Sequence, residues 1–333
     1  MFVKSNNLEF TRFIAAILVI LSHSFPIEYG NNKREPLMVL SKGFISFGGA
    51  AVCIFFLCGG WLCIKSIQKV RWEKAIINRI KRLIPELFLI IGLSVILGSF
   101  LTVLPPIEYW GNMETWKYFL NCLLIPIHEL PGVFINAKYN STVNGSLWTL
   151  PLEFLMFLIT LFAYQFGLMK KKYLNGIIFF VACIYFTCFL WKYELFVIIR
   201  PCVFWVLGIF VYIYKDTINW NRQWALMMGI LGIGLIIIGI GILGIIIMIY
   251  SFIFFWFYEV QISQKYAFVG KYTYSIYLCA FPIQQFVAMV NGYDESWMKN
   301  FVVSSIFAVI IGIINYEICG MNKAVNNRNE KNN

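Results

Sequence analysis

Arg12 and His23 close the two ends of an apolar stretch, RFIAAILVILSH. Their separation of eleven residues is about 16 Å of rise on an ideal helix and only about 20° of rotation, so the two share a face. Ionisable side chains in an apolar helix are costly and usually face a protein interior or a wet cavity, and a guanidinium and an imidazole on one face therefore outline a polar lane. A neutral imidazole supplies a general base or a nucleophile, and a guanidinium supplies planar donors for phosphate oxygens. Each has a plainer reading when taken singly: Arg12 as a residue snorkelling to an interface, His23 as a hydrogen-bonded core histidine.

Two more groupings carry polar chemistry. In GSLWTLPLEF, Ser146, Thr149 and Glu153 stand at i, i+3 and i+7, on one side of a helix. Counted from the opposite membrane face, Glu153 reaches a depth similar to that of His23, where a carboxylate would orient the imidazole. Its alternative partner is Arg200, at the outer edge of a later span. In NRIKRLIP, Arg79 and Arg82 are three apart on one helical face. Such a pair suits a polyphosphate, although basic residues beside a span also serve simply as topology signals. The chain has neither a P-loop nor a Rossmann glycine pattern, and no metal-ligand spacing surrounds His23 or the second histidine, His128.

The elements that must hold these residues are membrane helices. Of 333 residues, 60% are hydrophobic and 13% charged, and the mean hydropathy is +0.75, far beyond a soluble domain of this length. Apolar stretches of about 20 residues, enough to cross about 30 Å of hydrocarbon, recur along the chain. The pattern predicts an all-α, polytopic protein with ten spans, near 8–27, 43–64, 83–104, 147–166, 173–190, 196–214, 224–240, 242–258, 268–290 and 300–319. The charge-free run 224–258 is divided at Gly239 and Gly241, because GIGIL there suits a turn; one long tilted helix is the alternative. Residues 1–320 form one transmembrane domain, and the Asn-rich 321–333 is expected to be a disordered cytoplasmic tail.

With the N-terminus inside, eighteen Lys and Arg fall on the cytoplasmic side and seven outside, which places both termini in the cytoplasm. The net charge of +11 thus reports sidedness rather than a nucleic-acid partner. Pro26-Ile27-Glu28-Tyr29 provides no small-x-small cleavage site, so the first helix is expected to stay attached. The nine cysteines lack CxxC or metal spacing and read as small core hydrophobes. The longest connection, 105–146, lies outside, and its apolar patches suit a segment that rests on the membrane or partly re-enters it.

Five stretches in order resemble the acyltransferase 3 family of integral membrane acyltransferases: Arg12 to His23, FFLCGGWL from Phe55, RIKRLIP from Arg79, SLWTLPLEF from Ser146, and GKYTYSIYLCAFP from Gly270. The resemblance implies transfer of an acyl group, commonly acetyl, from a cytoplasmic coenzyme A thioester to a hydroxyl of a surface polysaccharide or lipid-linked sugar. No metal is expected, since neither histidine has metal-ligand spacing around it. The resemblance implies that Arg12, Arg79 and Arg82 receive coenzyme A phosphates and that His23 acts at the reacting centre. Ser146, Trp148, Thr149 and Arg200 are the residues expected around the acceptor and the developing oxyanion. Two departures stand out: Ala280 occupies a position where many members carry histidine, and Cys58 one where serine is usual. The expected location is the bacterial plasma membrane. A competing reading uses the same lane differently, as a transporter or flippase of a glycan or small solute.

Overall fold

The computed structural model describes residues 5–190, 196–255 and 264–332. Its elements are α1 (Ser5–Tyr29), α2 (Pro36–Leu40), α3 (Phe47–Ile67), α4 (Trp72–Leu101), α5 (Pro106–Gly111) and α6 (Met113–Lys117), then 3-10 turns at Tyr118–Leu123 and Gly145–Trp148. There follow α7 (Thr149–Gln165), α8 (Lys171–Leu190), α9 (Phe196–Tyr214), α10 (Arg222–Ile238), α11 (Gly241–Ile253), α12 (Gln264–Ala267), α13 (Thr273–Val290) and α14 (Trp297–Asn332). Among the described residues the extended pairing is confined to an isolated bridge between Glu129 and Thr142.

A helix stands in each of the ten expected segments, and among the described residues seven have the length and hydropathy of a membrane crossing: Asn7–Tyr29, Phe47–Ile67, Trp72–Leu101, Gly145–Gln165, Val197–Tyr214, Phe268–Val290 and Trp297–Gly320. Arg222–Ile238 and Leu243–Ile253 are shorter apolar helices. The charge-free run does break where glycine invites it, with Gly239 at φ +99° capping α10 before α11 begins. Residues 256–258 of the expected eighth span, and Lys4 and Lys192 of the charge count, lie outside the described residues.

One boundary is corrected. The third span was expected from residue 83, but α4 begins at Trp72, so Arg79 and Arg82 sit inside a helix rather than at its start. Its first three turns are amphipathic, WEKAIINRIKRL, and a search for apolar crossings passes over them.

The chain forms two compact units, Met1–Ala15 with Pro36–Ile76 and Leu152–Phe268, and Ala16–Glu35 with Ile77–Pro151 and Val269–Asn333. In the first, α3 and α9 pack almost backbone to backbone. A Cβ on Gly60 would run into the Trp205 carbonyl, and one on Gly208 into the Leu57 carbonyl. The Trp205 indole then donates to Thr160 Oγ1 at 2.9 Å, tying α9 to α7. The double glycine of FFLCGGWL is thus a packing device. Cys53, Cys58 and Cys63 are buried free thiols of the same unit, in the role expected of small core hydrophobes.

In the second unit α13 packs on α14, where Gly312 leaves room for Ile276. Buried Glu86 of α4 accepts from Ser275 Oγ at 2.6 Å, and Asn315 donates to the same Ser275 oxygen at 2.9 Å. The long connection is ordered by its own polar side chains. Asn121 brackets its turn with bonds to Tyr118 O, Ile127 O and Ile127 N, and Tyr109 OH donates to Val95 O at 2.9 Å. Burial pushes the Tyr109 hydroxyl up to about 12, so it stays a donor at neutral pH.

Candidate active site

His23 lies on the part of α1 that belongs to the second unit. Its ring is half-buried, and Nδ1 is buried with no hydrogen-bond partner among the described residues. The backbone that carries it is anchored on both sides. Ser24 Oγ donates to Ile20 O at 2.9 Å, closing the turn on itself. Gln284 Nε2 of α13 reaches Ile20 O at 2.7 Å and Ser24 Oγ at 2.9 Å, fixing the same turn from outside. One turn further, the fully buried Glu28 accepts from Asn300 Nδ2 at 2.9 Å, and Asn300 Oδ1 accepts from Gln284 at 3.3 Å. Phe25 stacks on Trp297 with centroids 4.7 Å apart. Among the described residues His23 Nδ1 is one of several buried polar atoms here without a partner, with Glu28 Oε2 and Gln284 Oε1.

The imidazole meets the ring of Phe281 edge to face, centroids 5.1 Å apart at 75°. Phe281 also touches the 3-10 turn Gly145–Trp148, where a Cβ on Gly145 would come within 2.8 Å of the ring. Asn144 builds that turn, accepting from Ser146 N at 3.0 Å and donating to Leu278 O at 2.8 Å. The second histidine serves the same turn from behind: His128 Nδ1 donates to Asn144 O at 2.9 Å.

Ser146 and Thr149 do share a face, though by 3-10 geometry rather than α-helical, since i and i+3 eclipse in a 3-10 turn. Tyr277, one turn before Phe281, donates to Ser146 O at 2.9 Å and lies 2.8 Å from Thr149 Oγ1. Ser146 Oγ is buried without a partner among the described residues. The structure therefore brings His23, Ser146 and Thr149 onto one face of α13, through Phe281 and Tyr277. Trp148 is half-buried in the same turn.

Arg79, half-buried, and Arg82, exposed, are one turn apart on α4 in this unit. Arg12, Glu153 and Arg200 belong to the first unit. Arg12 Nη1 is 3.6 Å from Glu9 Oε2 in an i, i+3 pair. Glu153 is half-buried on α7. Arg200 donates to Phe44 O at 3.3 Å with its guanidinium 5.1 Å from the Phe44 ring centroid. Among the described residues no three His, Cys, Asp or Glu side chains cluster as metal ligands would.

Tyr277, Phe281 and Gln284 stand at i, i+4 and i+7, within or just beyond GKYTYSIYLCAFP, and sequence reasoning did not assign them. That helical spacing was the available signal. These features define an all-helical membrane protein with a half-buried histidine against Phe281, one turn along α13 from a tyrosine bonded to a serine and a threonine. The chain belongs to the acyltransferase 3 family, whose acyltransferase domain matches residues 5–316. An O-acetyl transferase of Shigella phage Sf6 is 26% identical over 332 residues, covering 95% of each chain. No solved structure matches the chain.

Proposed function

We propose that this protein is a membrane O-acetyltransferase that moves an acetyl group from cytoplasmic acetyl-CoA to a hydroxyl of a cell-surface polysaccharide or lipid-linked sugar. The reading places it in a bacterial plasma membrane with both termini inside. The observation that carries it is the half-buried His23 ring with an unpartnered Nδ1, in contact with Phe281 one turn from the Tyr277 that bonds Ser146 and Thr149, in a chain of this family.

Neutral His23 takes the proton of the acceptor hydroxyl as its oxygen attacks the thioester carbonyl. The new C–O bond forms, negative charge gathers on the carbonyl oxygen, and hydroxyls of the cluster supply donors to it. The C–S bond then breaks, and the imidazolium returns its proton to the departing thiolate. A brief acyl-histidine is the stepwise form of the same transfer. Arg79 and Arg82 hold donor phosphates. Arg12 joins them, Glu153 supports His23 and Arg200 assists the acceptor on the strength of the sequence alone.

The test uses inverted membrane vesicles with wild type or His23→Ala, supplied with acetyl-labelled coenzyme A, following label into glycan and lipid fractions. A general base contributes about 10²–10⁴-fold, so label is expected with wild type and nearly absent with the variant. Equal labelling by a well-inserted His23→Ala protein overturns the assignment of the base. No labelling by either, with acceptor present, overturns the donor and returns the transport reading.

A further inference from the structure

In the first unit α3, α7 and α9 end together, and between their ends is an open cavity of ≈ 760 Å³ lined by Gln68, Tyr164, Lys170, Lys171, Tyr212 and Lys215, among others. The cavity is a product of the packing above it. The glycine contact of Gly60 and Gly208 sets α3 against α9, and the Trp205–Thr160 bond sets α9 against α7. Below that, α7 stops in a Schellman turn: Leu168 N donates to Ala163 O at 2.9 Å, Gly167 N to Tyr164 O at 3.0 Å, and Gly167 takes φ +72°.

Two of the three lysines lie over aromatic rings rather than against carboxylates. Lys171 Nζ is 5.0 Å from the Tyr214 ring centroid, and Lys215 Nζ 4.4 Å from that of Tyr212. Tyr212 is itself fixed by its hydroxyl, which donates to Gln68 Oε1 at 3.1 Å. No Asp or Glu lines the cavity, and none of the three lysines forms an ion pair among the described residues. Exposed Asp216 is within electrostatic reach of Tyr212.

Lysines near helix C-termini have an ordinary use, since each terminus carries roughly half a negative charge. Three C-termini, offset by the N-terminus of α8 where Lys171 stands, amount to about −1, and Asp216 adds −1, against three full positive charges. A surplus survives, and it surrounds a concavity rather than lying on a flat solvated face. Because α3, α7 and the Val197–Tyr214 part of α9 are candidate crossings, their common end lies at a membrane interface. The lysine bias marks that interface as cytoplasmic.

We propose that this cavity binds a phosphate group at the cytoplasmic membrane face, carried either on an anionic phospholipid headgroup or on a soluble nucleotide. Ammonium groups supply the charge, Gln68 and the tyrosine hydroxyls supply neutral polar contacts, and Ile64, Met169 and Ile213 give an apolar wall to whatever the phosphate is attached to. The inference does not depend on acyl transfer.

The protein in phosphatidylcholine nanodiscs is tested with two probes: phosphatidylglycerol, by retention in native mass spectrometry, and adenosine 3′,5′-bisphosphate, by calorimetric titration. Wild type is expected to bind one of them, with the triple Lys170→Gln, Lys171→Gln, Lys215→Gln at least tenfold weaker and the corresponding triple arginine variant close to wild type. The arm that responds identifies the carrier of the phosphate. Lys170→Gln alone, at an exposed position, gives a smaller loss and serves if the triple variant fails to fold. No binding of either probe by wild type, or binding that the lysine substitutions leave unchanged, overturns the proposal.

Discussion

The imidazole of His23 rests against the ring of Phe281 at 5.1 Å between centroids, and the ring in turn leaves no room for a Cβ at Gly145. Phe281 therefore touches both the helix that carries the histidine and the turn that carries Ser146. An edge-to-face contact of this kind contributes about 0.5–1.5 kcal/mol beyond its buried area. Its larger effect is geometric, because it limits how the imidazole can tilt.

Replacing that ring should cost turnover more than binding. Phe281→Leu is expected to lower kcat about 10–100-fold, the scale on which small misplacement of a reacting group acts, while the donor KM stays near wild type. Gly145→Ala pushes on the same ring, since its Cβ would come within 2.8 Å of it, and should move kcat in the same direction. Steady-state kinetics on both variants checks this, and a Gly145→Ala enzyme with normal kcat would remove Phe281 from the positioning of His23.

Gln284 holds the same histidine from the backbone side, with donor contacts to Ile20 O and Ser24 Oγ. Gln284→Ala removes this donor from Ile20 O, which keeps its bond from Ser24 Oγ, and from Ser24 Oγ, a net loss of about 0.5–1.5 kcal/mol per hydrogen bond, and loosens the turn that bears His23. Expected outcomes are a lower thermal midpoint in detergent and a reduced kcat together. Gln284→Glu, which lacks the amide donor but keeps the shape, should resemble Gln284→Ala. If it instead matches wild type, the hydrogen bonds have no part in holding His23.

Much of this architecture is written plainly in the chain, and the reasons differ by element. The span holding His23 is legible because one imidazole in an apolar run is expensive enough to demand an explanation. The break before α11 is legible because only glycine takes the left-handed conformation at Gly239 without strain. The first turns of α4 were missed because amphipathic helix does not look like a crossing. Tyr277, Phe281 and Gln284 acquire meaning only from what they touch, and common residues in a helix announce nothing by type. The order within 105–146 depends on side-chain bonds such as those of Asn121, which no local pattern encodes.

Arg79 and Arg82 separate donor binding from chemistry. If they hold phosphates remote from the reacting atoms, the double Arg79→Ala, Arg82→Ala variant should raise the donor KM about 10–100-fold, in line with charged hydrogen bonds of about 1.5–3 kcal/mol, and leave kcat nearly intact. Initial rates against acetyl-CoA concentration read this directly. An unchanged KM in a correctly oriented protein would leave sidedness as their role.

The glycines of α3 and α9 test whether FFLCGGWL serves packing or chemistry. Gly60 and Gly208 each face a backbone carbonyl of the opposite helix, Trp205 O and Leu57 O, and a backbone cannot swing aside as a side chain can. Gly60→Ala must force the helices apart, at about 1–3 kcal/mol for overpacking, and disturb the Trp205 bond to Thr160. The expected result is a lower thermal midpoint, with tryptophan emission shifted as the buried Trp205 environment loosens. Gly92→Ala is the control, since its Cβ position meets nothing within 4 Å and alanine favours helix over glycine by about 1 kcal/mol; it should be neutral or stabilising. A Gly60→Ala protein that melts like wild type yet loses acetyl transfer would assign the motif to the reaction instead of the fold.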